Sequence, residues 1–551
     1  MIERLEQQKR LTANQWKLIA TANLADLLDF FDFFLIGYVL AFITKEWQLT
    51  YWQGAMILLS SGLGAVPGAF FWGSVADRIG RRKVFIVTAL NLALATGVMY
   101  FTPGQHGWVA GWIFLSVFRF FVGIGNAGLY VVDLPLVQEF IPGSKRGWVS
   151  ALVYTLLPAG NLLGGLSGWL LAPVIGWRGL FLIGLAPIVL VLMVRYWVPE
   201  SPRWLIRMGR FEDARKSLAW ALQIDPKEIE LPAAPAEAER TKWRELFKYP
   251  RSVAAGCLTG LTQTGLAGLA LWQTTLFVLV LGVTPARASY LVIWVSVAGI
   301  LGRVFMTFII DVLGRQRSGV LCCLIAMAAA VLAGQMAGIY IGTASMFYLM
   351  ILVTVFFGSG NYGLVAAYMA ELWPTRLRTS GMGLSYGVGN LGKIIGPLGL
   401  ALIAGSSDYI NPKATVDALA PAFLYFASWW VLGAAAFRFI GFETKGRSFE
   451  EMDAALGAPA AAPARASENE GRCNRPKHQI RSALITRSKT AERRRGRGGN
   501  FRWRASAPGR RRAMGCGKSP AINGWCCLSP GPVGRSTSPT SRCTGWCCAR
   551  P

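Results

Sequence analysis

Histidine is scarce in this chain, cysteine is scarce outside its C-terminal tail, and charge is sparse along most of its length. Only two histidines occur in 551 residues, His106 and His478. Histidine-based metal or general-base chemistry has no core site to work from, so the sequence reads as a non-enzyme with no cofactor and no metal centre. Acidic residues number 29 against 56 Lys and Arg, a net charge of +27 that invites a nucleic-acid partner. The location of that charge removes the invitation. From Pro459 onward there are 20 Lys/Arg and 3 Asp/Glu, a net of +17, which leaves +10 (27 − 17) for the rest.

The tail, 459–551, also holds seven of the ten cysteines: Cys473, Cys516, Cys526, Cys527, Cys543, Cys547 and Cys548. They come in adjacent pairs rather than at the two-residue gap of zinc sites, with His478 distant. Arg493 to Arg495, Arg510 to Arg512 and two Trp-Cys-Cys triplets occur there without hydrophobic periodicity. The tail reads either as a disordered basic extension or as GC-rich codons translated out of frame past the true C-terminus.

What is abundant is apolar sequence: 53% of residues are hydrophobic, 15% are charged, and mean hydropathy is +0.40. A helix needs about 20 residues to cross a hydrocarbon core of roughly 30 Å. Twelve windows qualify, near 18–43, 53–76, 84–102, 108–138, 149–173, 179–198, 253–281, 287–311, 318–341, 345–370, 380–404 and 418–441. They are continuous rather than alternating, which favours helices over barrel strands. The first follows a polar stretch and lacks a cleavage pattern, so it reads as a retained span. The fold expected is an all-α membrane protein of twelve helices in two six-helix bundles. Residues 1–198 form the first bundle, 199–251 a central loop and 252–458 the second bundle.

Alternate loops differ in basic residues. One set carries Arg78, Arg81, Arg82, Lys83, Lys145, Arg146, Arg315, Arg317, Arg376 and Arg378; the other has Lys45, Arg178, Arg287 and Lys413. The positive-inside rule puts the first set, the central loop and both termini in the cytoplasm of a cell, with a bacterial inner membrane as the expected location. Ser201 to Leu222 interleaves Trp204, Leu205, Ile206, Phe211 and Trp220 with Arg and Lys, as an amphipathic helix on the membrane face does. Residues 230–240 are linker-like.

The chain also repeats itself. Asp77-Arg-Ile-Gly80-Arg81 returns as Asp311-Val-Leu-Gly314-Arg315, 234 positions later (311 − 77). Glu139-x-x-Pro142-x-x-x-Arg146 returns as Glu371-x-x-Pro374-x-x-x-Arg378, 232 positions later (371 − 139). Two copies of one charged loop suit a protein whose halves rock against each other. The segment Gly73 to Lys83 resembles the loop 2–3 signature of the major facilitator superfamily, and Arg119-Phe-Phe-Val-Gly123-Ile-Gly125 its helix-4 arginine motif. Pro199-Glu200-Ser201-Pro202-Arg203-Trp204 and Glu443-Thr444-Lys445-Gly446-Arg447 resemble the half-end signatures of its sugar-porter and metabolite/proton-symporter branches. The resemblance runs in order from about 20 to 455. It implies that Asp77, Arg81, Asp311 and Arg315 gate the carrier by contacts across the two bundles, with Glu139, Arg146, Glu371 and Arg378 in the same charge network. The bland alternative is that these basic residues only set topology.

Charges inside the apolar runs point to the work done there, because a charge in hydrocarbon must line a cavity or find a partner. Asp26, Asp29 and Asp32 share one face of the first span, being three residues apart. Asp29-Phe-Phe-Asp32 resembles the Asp-Gly-x-Asp motif of aromatic-acid/proton symporters, with Phe30 in place of the glycine. Asp29 or Asp32 is the expected protonation site with Arg119 as its electrostatic modulator, and Asp26 is placed at the rim. A static ion pair is the alternative. Lys393, in a glycine-rich run, and Arg303 are the candidate cations for an anionic substrate, or else partners of the aspartates. Asp133, Asn126, Gln263, Asn361 and Asn390 complete the candidate substrate set, and Asn161, Gln273 and Tyr362 could add neutral hydrogen bonds.

The function expected is secondary transport by alternating access, as a monomer, with protons and a small molecule as partners. Import of a small organic anion with a proton is the first reading and a neutral sugar or polyol porter the second. An efflux antiporter and a nutrient sensor on the same scaffold come behind them.

Overall fold

The computed structural model describes residues 2–230 apart from 144, 147, 148, 150, 151 and 153–156, residues 243–445 apart from 375 and 376, and residue 456. The tail from 459 and most of the 230–240 linker lie outside the described residues. The first half contains α1 (Ile2–Glu6), α2 (Ala13–Trp47), α3 (Tyr51–Ile79), α4 (Arg81–Val98), α5 (Gly111–Glu139), α6 (Leu157–Leu166), α7 (Ala172–Ile183) and α8 (Pro187–Trp197). Two short helices, α9 (Pro202–Arg207) and α10 (Phe211–Leu222), follow. The second half contains α11 (Pro250–Leu261), α12 (Gln263–Leu281), α13 (Pro285–Leu313), α14 (Arg315–Gln335), α15 (Met346–Glu371), α16 (Arg378–Asn390), α17 (Gly392–Ile403) and α18 (Pro412–Ala435).

Local chemistry sets these ends. Thr12 and Thr50 each accept the backbone N–H three residues on, while Gln15 and Gln53 bond back to the capping residue's N–H. Proline occupies the first turn of α8, α11, α13 and α18, where its missing N–H costs nothing. Among the described residues, eleven apolar helical runs are long enough to cross a membrane, and one of them, Pro158–Trp197, is 40 residues long. At about 1.5 Å per residue that run is twice a bilayer core. Gly176 leaves helical geometry inside it (φ 72), so it makes two crossings and the total is twelve. Phe70, Val312 and Phe308 are 74, 70 and 69% exposed, an apolar surface that lipid covers.

The halves meet where α2 packs on α12, α3 on α17 and α6 on α13. The loops bearing Gly80 and Gly314 define a basic end; the α2–α3 and α17–α18 loops define the far end. Among the described residues, the backbone hydrogen bonds joining the halves all lie at the far end. Tyr51 N–H donates to Asp408 O (3.1 Å), Trp52 N–H to Ser406 O (3.0 Å) and Ile410 N–H to Leu49 O (2.8 Å). The Tyr51 and Thr415 hydroxyls bond at 2.7 Å, and the Tyr51 ring packs on Trp272. The far end is therefore closed.

Candidate functional site

The three aspartates of α2 are all buried, and each has a different partner. Asp32 takes Arg119 of α5: the guanidinium Nη1 donates to Oδ2 at 2.9 Å and to the Asp32 carbonyl at 3.0 Å. Thr96 Oγ1 donates to Oδ1 at 2.6 Å, and the second Arg119 nitrogen reaches Phe33 O at 3.2 Å. Such bonds offset the desolvation of the pair, although the buried Arg119 Nε has no hydrogen-bond partner among the described residues. Asn126 of α5 donates its amide to Asp29 Oδ1. Asp29 also interacts electrostatically with Lys393 from the other half. Asp26 is not at a rim: it is 2% exposed and interacts electrostatically with Asp133 of α5. That placement follows from where α2 begins. Asp26 lies 13 residues (26 − 13) past Ala13, about 20 Å along the helix.

Beside these aspartates lies a cavity between the halves, with about 780 Å³ of empty space including its mouth. Phe30, Phe33 and Phe34 form its first-half wall, with Pro158 and Asn161. From the second half come Arg303, Lys393, Gln263, Gln273, Ser359 and Tyr362. Arg303 Nε donates to Ser359 Oγ at 3.1 Å, and its guanidinium lies 4.6 Å from the Tyr362 ring centroid. Such stacking holds the planar fork in one orientation. Lys393 Nζ lies 4.8 Å from the Phe33 ring centroid. Tyr130 of α5 and Tyr386 of α16 stack across the halves with centroids 4.8 Å apart.

At the basic end the repeated motifs build one arrangement twice. Arg81 pairs with Glu139 at 3.0 Å, and Arg315 with Glu371 at 3.1 Å. Ser201 donates to Glu139 and Thr444 to Glu371. Glu200 accepts the Arg82 N–H at 3.0 Å, and Glu443 accepts Arg315 N–H at 2.9 Å and Gln316 N–H at 3.1 Å. The half-end glutamates thus cap α4 and α14, where the helix dipole favours a carboxylate. Gly80 (φ 106) and Gly314 (φ 86) are required there: a Cβ would sit 2.3 Å from a Glu200 oxygen and 2.5 Å from a Glu443 oxygen, in a backbone region side chains rarely adopt.

Among the described residues these contacts run within each half, not across the halves as the family resemblance implies. With the far end closed, the basic-end motifs are occupied locally. Asp77 is bonded by Arg207 of α9 at 3.2 Å, and Arg146 turns to Glu6 at 2.7 Å. The Asp311 and Arg378 side chains lie outside the described residues.

The Glu443 carboxyl has a measurable consequence. Burial pulls it up, but backbone N–H groups outweigh this, Lys445 first and then Arg315, Gln316 and Thr444, and hold it below the ordinary 4.5. A carboxyl depressed on folding stabilises fully above its unfolded value, and the benefit is lost as pH falls through the folded one. The melting temperature of Glu443→Gln should therefore lie below that of the parent at pH 7, and the gap should close on acidification below 4.5. A gap unchanged with pH in detergent melts would remove the capping charge from the account.

Of the remaining candidates, Gln263 lines the cavity, and Asn361 donates to Thr262 Oγ1 at 3.2 Å. Asn390 has a buried Oδ1 with no hydrogen-bond partner among the described residues. Asn126 and Asp133 are engaged by aspartates of α2, away from the cavity lining. Sequence reasoning missed the wall of Phe30, Phe33 and Phe34, the Ser359–Tyr362 seat of Arg303, and the caps Glu200 and Glu443.

The sequence profile of a family described as sugar (and other) transporter matches residues 18–456. A niacin transporter of Acinetobacter baylyi is 26% identical over 450 residues, covering 79% of this chain and 96% of that protein. A cis,cis-muconate transport protein of the same species is 26% identical over 406 residues, covering 72% and 90%. Among solved structures, a partially occluded inward-open conformation of the xylose transporter of E. coli superposes with a TM-score of 0.62 at 19% identity, covering 79% of this chain and 100% of that one.

Proposed function

Because the chain belongs to the sugar (and other) transporter family and is a multi-pass membrane transporter of the major facilitator superfamily, we propose that it imports a small organic anion, of carboxylate or aromatic-acid type, together with a proton. The observation that carries this reading is Arg303, seated by Ser359 and Tyr362 and facing three phenylalanines across one cavity. The Arg303 guanidinium there attracts a carboxylate, and the rings accept a planar or apolar body. The relatives named for niacin and cis,cis-muconate, both carboxylic acids, support the same class. Asp29 and Asp32 with Arg119 are the proton-handling group. A proton entering with each monoanion cancels its charge, which spares about 2.3 kcal/mol per 100 mV of opposing potential.

The basic end is assigned to the cytoplasm, because its loops carry the Lys and Arg excess. Residues 1–198 and 252–458 are the two bodies that move, and the structure is then closed to the outside. The duplicated set Asp77, Arg81, Glu139, Arg146, Asp311, Arg315, Glu371 and Arg378 releases its contacts within each half and rejoins across the halves when the cytoplasmic side closes. A neutral sugar porter is the second reading, favoured by Gln263, Gln273 and Asn161 in the same lining.

Proteoliposomes with an inward proton gradient decide between them. Labelled nicotinate should accumulate, and an uncoupler should abolish the accumulation. Saturable xylose uptake with no nicotinate, benzoate or muconate uptake would replace the first reading with the second.

A further inference from the structure

Lys393 belongs to the second half but works in the first. It is the second residue of α17 (Gly392–Ile403), the helix packed on α3 across the boundary. The approach is tight: a Cβ on Gly62 of α3 would lie 3.3 Å from the Lys393 carbonyl carbon and 2.9 Å from Ile394 Cγ1. Its ammonium lies over Phe33, the α2 residue next to Asp32.

Around Asp29 the charged and polar groups are few. Asp26 and Asp32 are on its own helix; α5 contributes Asn126, Asp133 and Arg119; α17 contributes Lys393. Asn126 bonds one carboxylate oxygen without charge. Asp133 lies against Asp26, a carboxyl of like charge, and Arg119 is bonded to Asp32. Among the described residues Lys393 is the cation left to balance Asp29, and it comes from the half that must move.

We propose that Lys393 ties proton binding at Asp29 to movement of the halves, its ammonium stabilising ionised Asp29 while the far end is closed and leaving it when the far end opens. The geometry enforces the withdrawal. Opening the far end breaks the Tyr51–Asp408, Trp52–Ser406 and Leu49–Ile410 bonds and carries α17 away from α3. Asp29 then loses its cation within an apolar wall, and the carboxylate takes one proton from far-side water. On closing, the returning ammonium favours the carboxylate again, and the proton leaves into the cavity that Phe30 and Lys393 line. Lys393 keeps its own proton throughout. One proton enters per cycle, in the direction of a symporter.

This rests on the proton–anion reading, and the test separates the two. Purified full-length protein is reconstituted with a pH-sensitive dye inside the vesicles, and nicotinate is added outside. The parent should acidify the lumen; if it moves nicotinate with no acidification, the proton–anion reading fails and takes this proposal with it. Given an acidifying parent, Lys393→Gln should keep nicotinate counterflow within about threefold, because exchange needs no net proton flux, yet lose proton entry by about tenfold or more. Lys393→Arg should restore proton entry. Asp29→Asn should match Lys393→Gln, and the double variant should be no worse than either, as expected of two residues acting through one electrostatic coupling.

Full proton entry in Lys393→Gln overturns the proposal. So does loss of counterflow in Lys393→Gln but not in Asp29→Asn, which would make Lys393 a substrate contact. Should Lys393→Gln fail to give monodisperse protein, the double variant replaces it, with both buried charges removed; proton entry there also overturns the proposal.

Discussion

Arg119→Leu should cost roughly 3–5 kcal/mol of stability, the largest loss expected from any single substitution in the first half. The change strands Asp32, 1% exposed, without its cation, and removes donors to Asp32 O and Phe33 O. Thr96 is then the remaining bonded partner of a buried carboxylate. Breaking one side of a desolvated pair costs far more than removing both, so Arg119→Leu with Asp32→Leu should recover much of the loss. Melting of the detergent-solubilised protein reads this directly. The single variant should melt at least about 5 °C below the parent, and the double variant should sit between them. A single variant melting with the parent would mean the pair contributes nothing to folding, and its retention would have to be explained by transport alone.

The same contrast shows what the sequence could disclose. A charge in an apolar helix announces itself, since hydrocarbon tolerates it only with a partner, so Asp29, Asp32, Arg119, Lys393 and Arg303 were legible as a group. Helical spacing put the aspartates on one face. It could not say which partner each takes, because the partners lie 87 residues away (119 − 32) and 364 residues away (393 − 29). Asp26 was misplaced for a related reason: the rim is set by where α2 starts, and the Thr12–Gln15 capping box lies outside the apolar window.

Aromatic residues gave no such signal. Phe30, Phe33 and Phe34 face the cavity while Phe70 and Phe71 face outward. In a lipid-embedded helix both faces are apolar, so the amphipathic contrast that marks a core face in a soluble protein is missing. The fold itself was legible because twelve apolar runs and a duplicated loop are strong local signals. The caps at Gly80 and Gly314 were only half legible. Their glycines marked a turn, but the glutamates that fill it come from 120 residues on in one half (200 − 80) and 129 in the other (443 − 314).

Arg303→Gln should lower the nicotinate transport efficiency at least about 30-fold, the loss expected when roughly 2 kcal/mol of charge-assisted bonding to a carboxylate is removed. The effect should fall mainly on KM, since a carboxylate held equally in the bound and moving states contributes uniform binding. Lysine is not an adequate replacement. Arg303 is seated by the Ser359 bond and the Tyr362 ring, and an ammonium keeps the charge while losing the planar fork that the ring orients. Arg303→Lys should therefore fall between parent and Arg303→Gln. Nicotinamide provides the control, because it keeps the ring and replaces the carboxylate with a neutral amide. Its binding to Arg303→Gln should stay within about threefold of the parent, so that discrimination between acid and amide collapses through loss of the acid. An equal loss for both would place the effect in the Ser359–Tyr362 wall instead of the charge. Unchanged nicotinate transport would leave Lys393 as the cation that meets the substrate, and the division of labour between the two cations would be reversed.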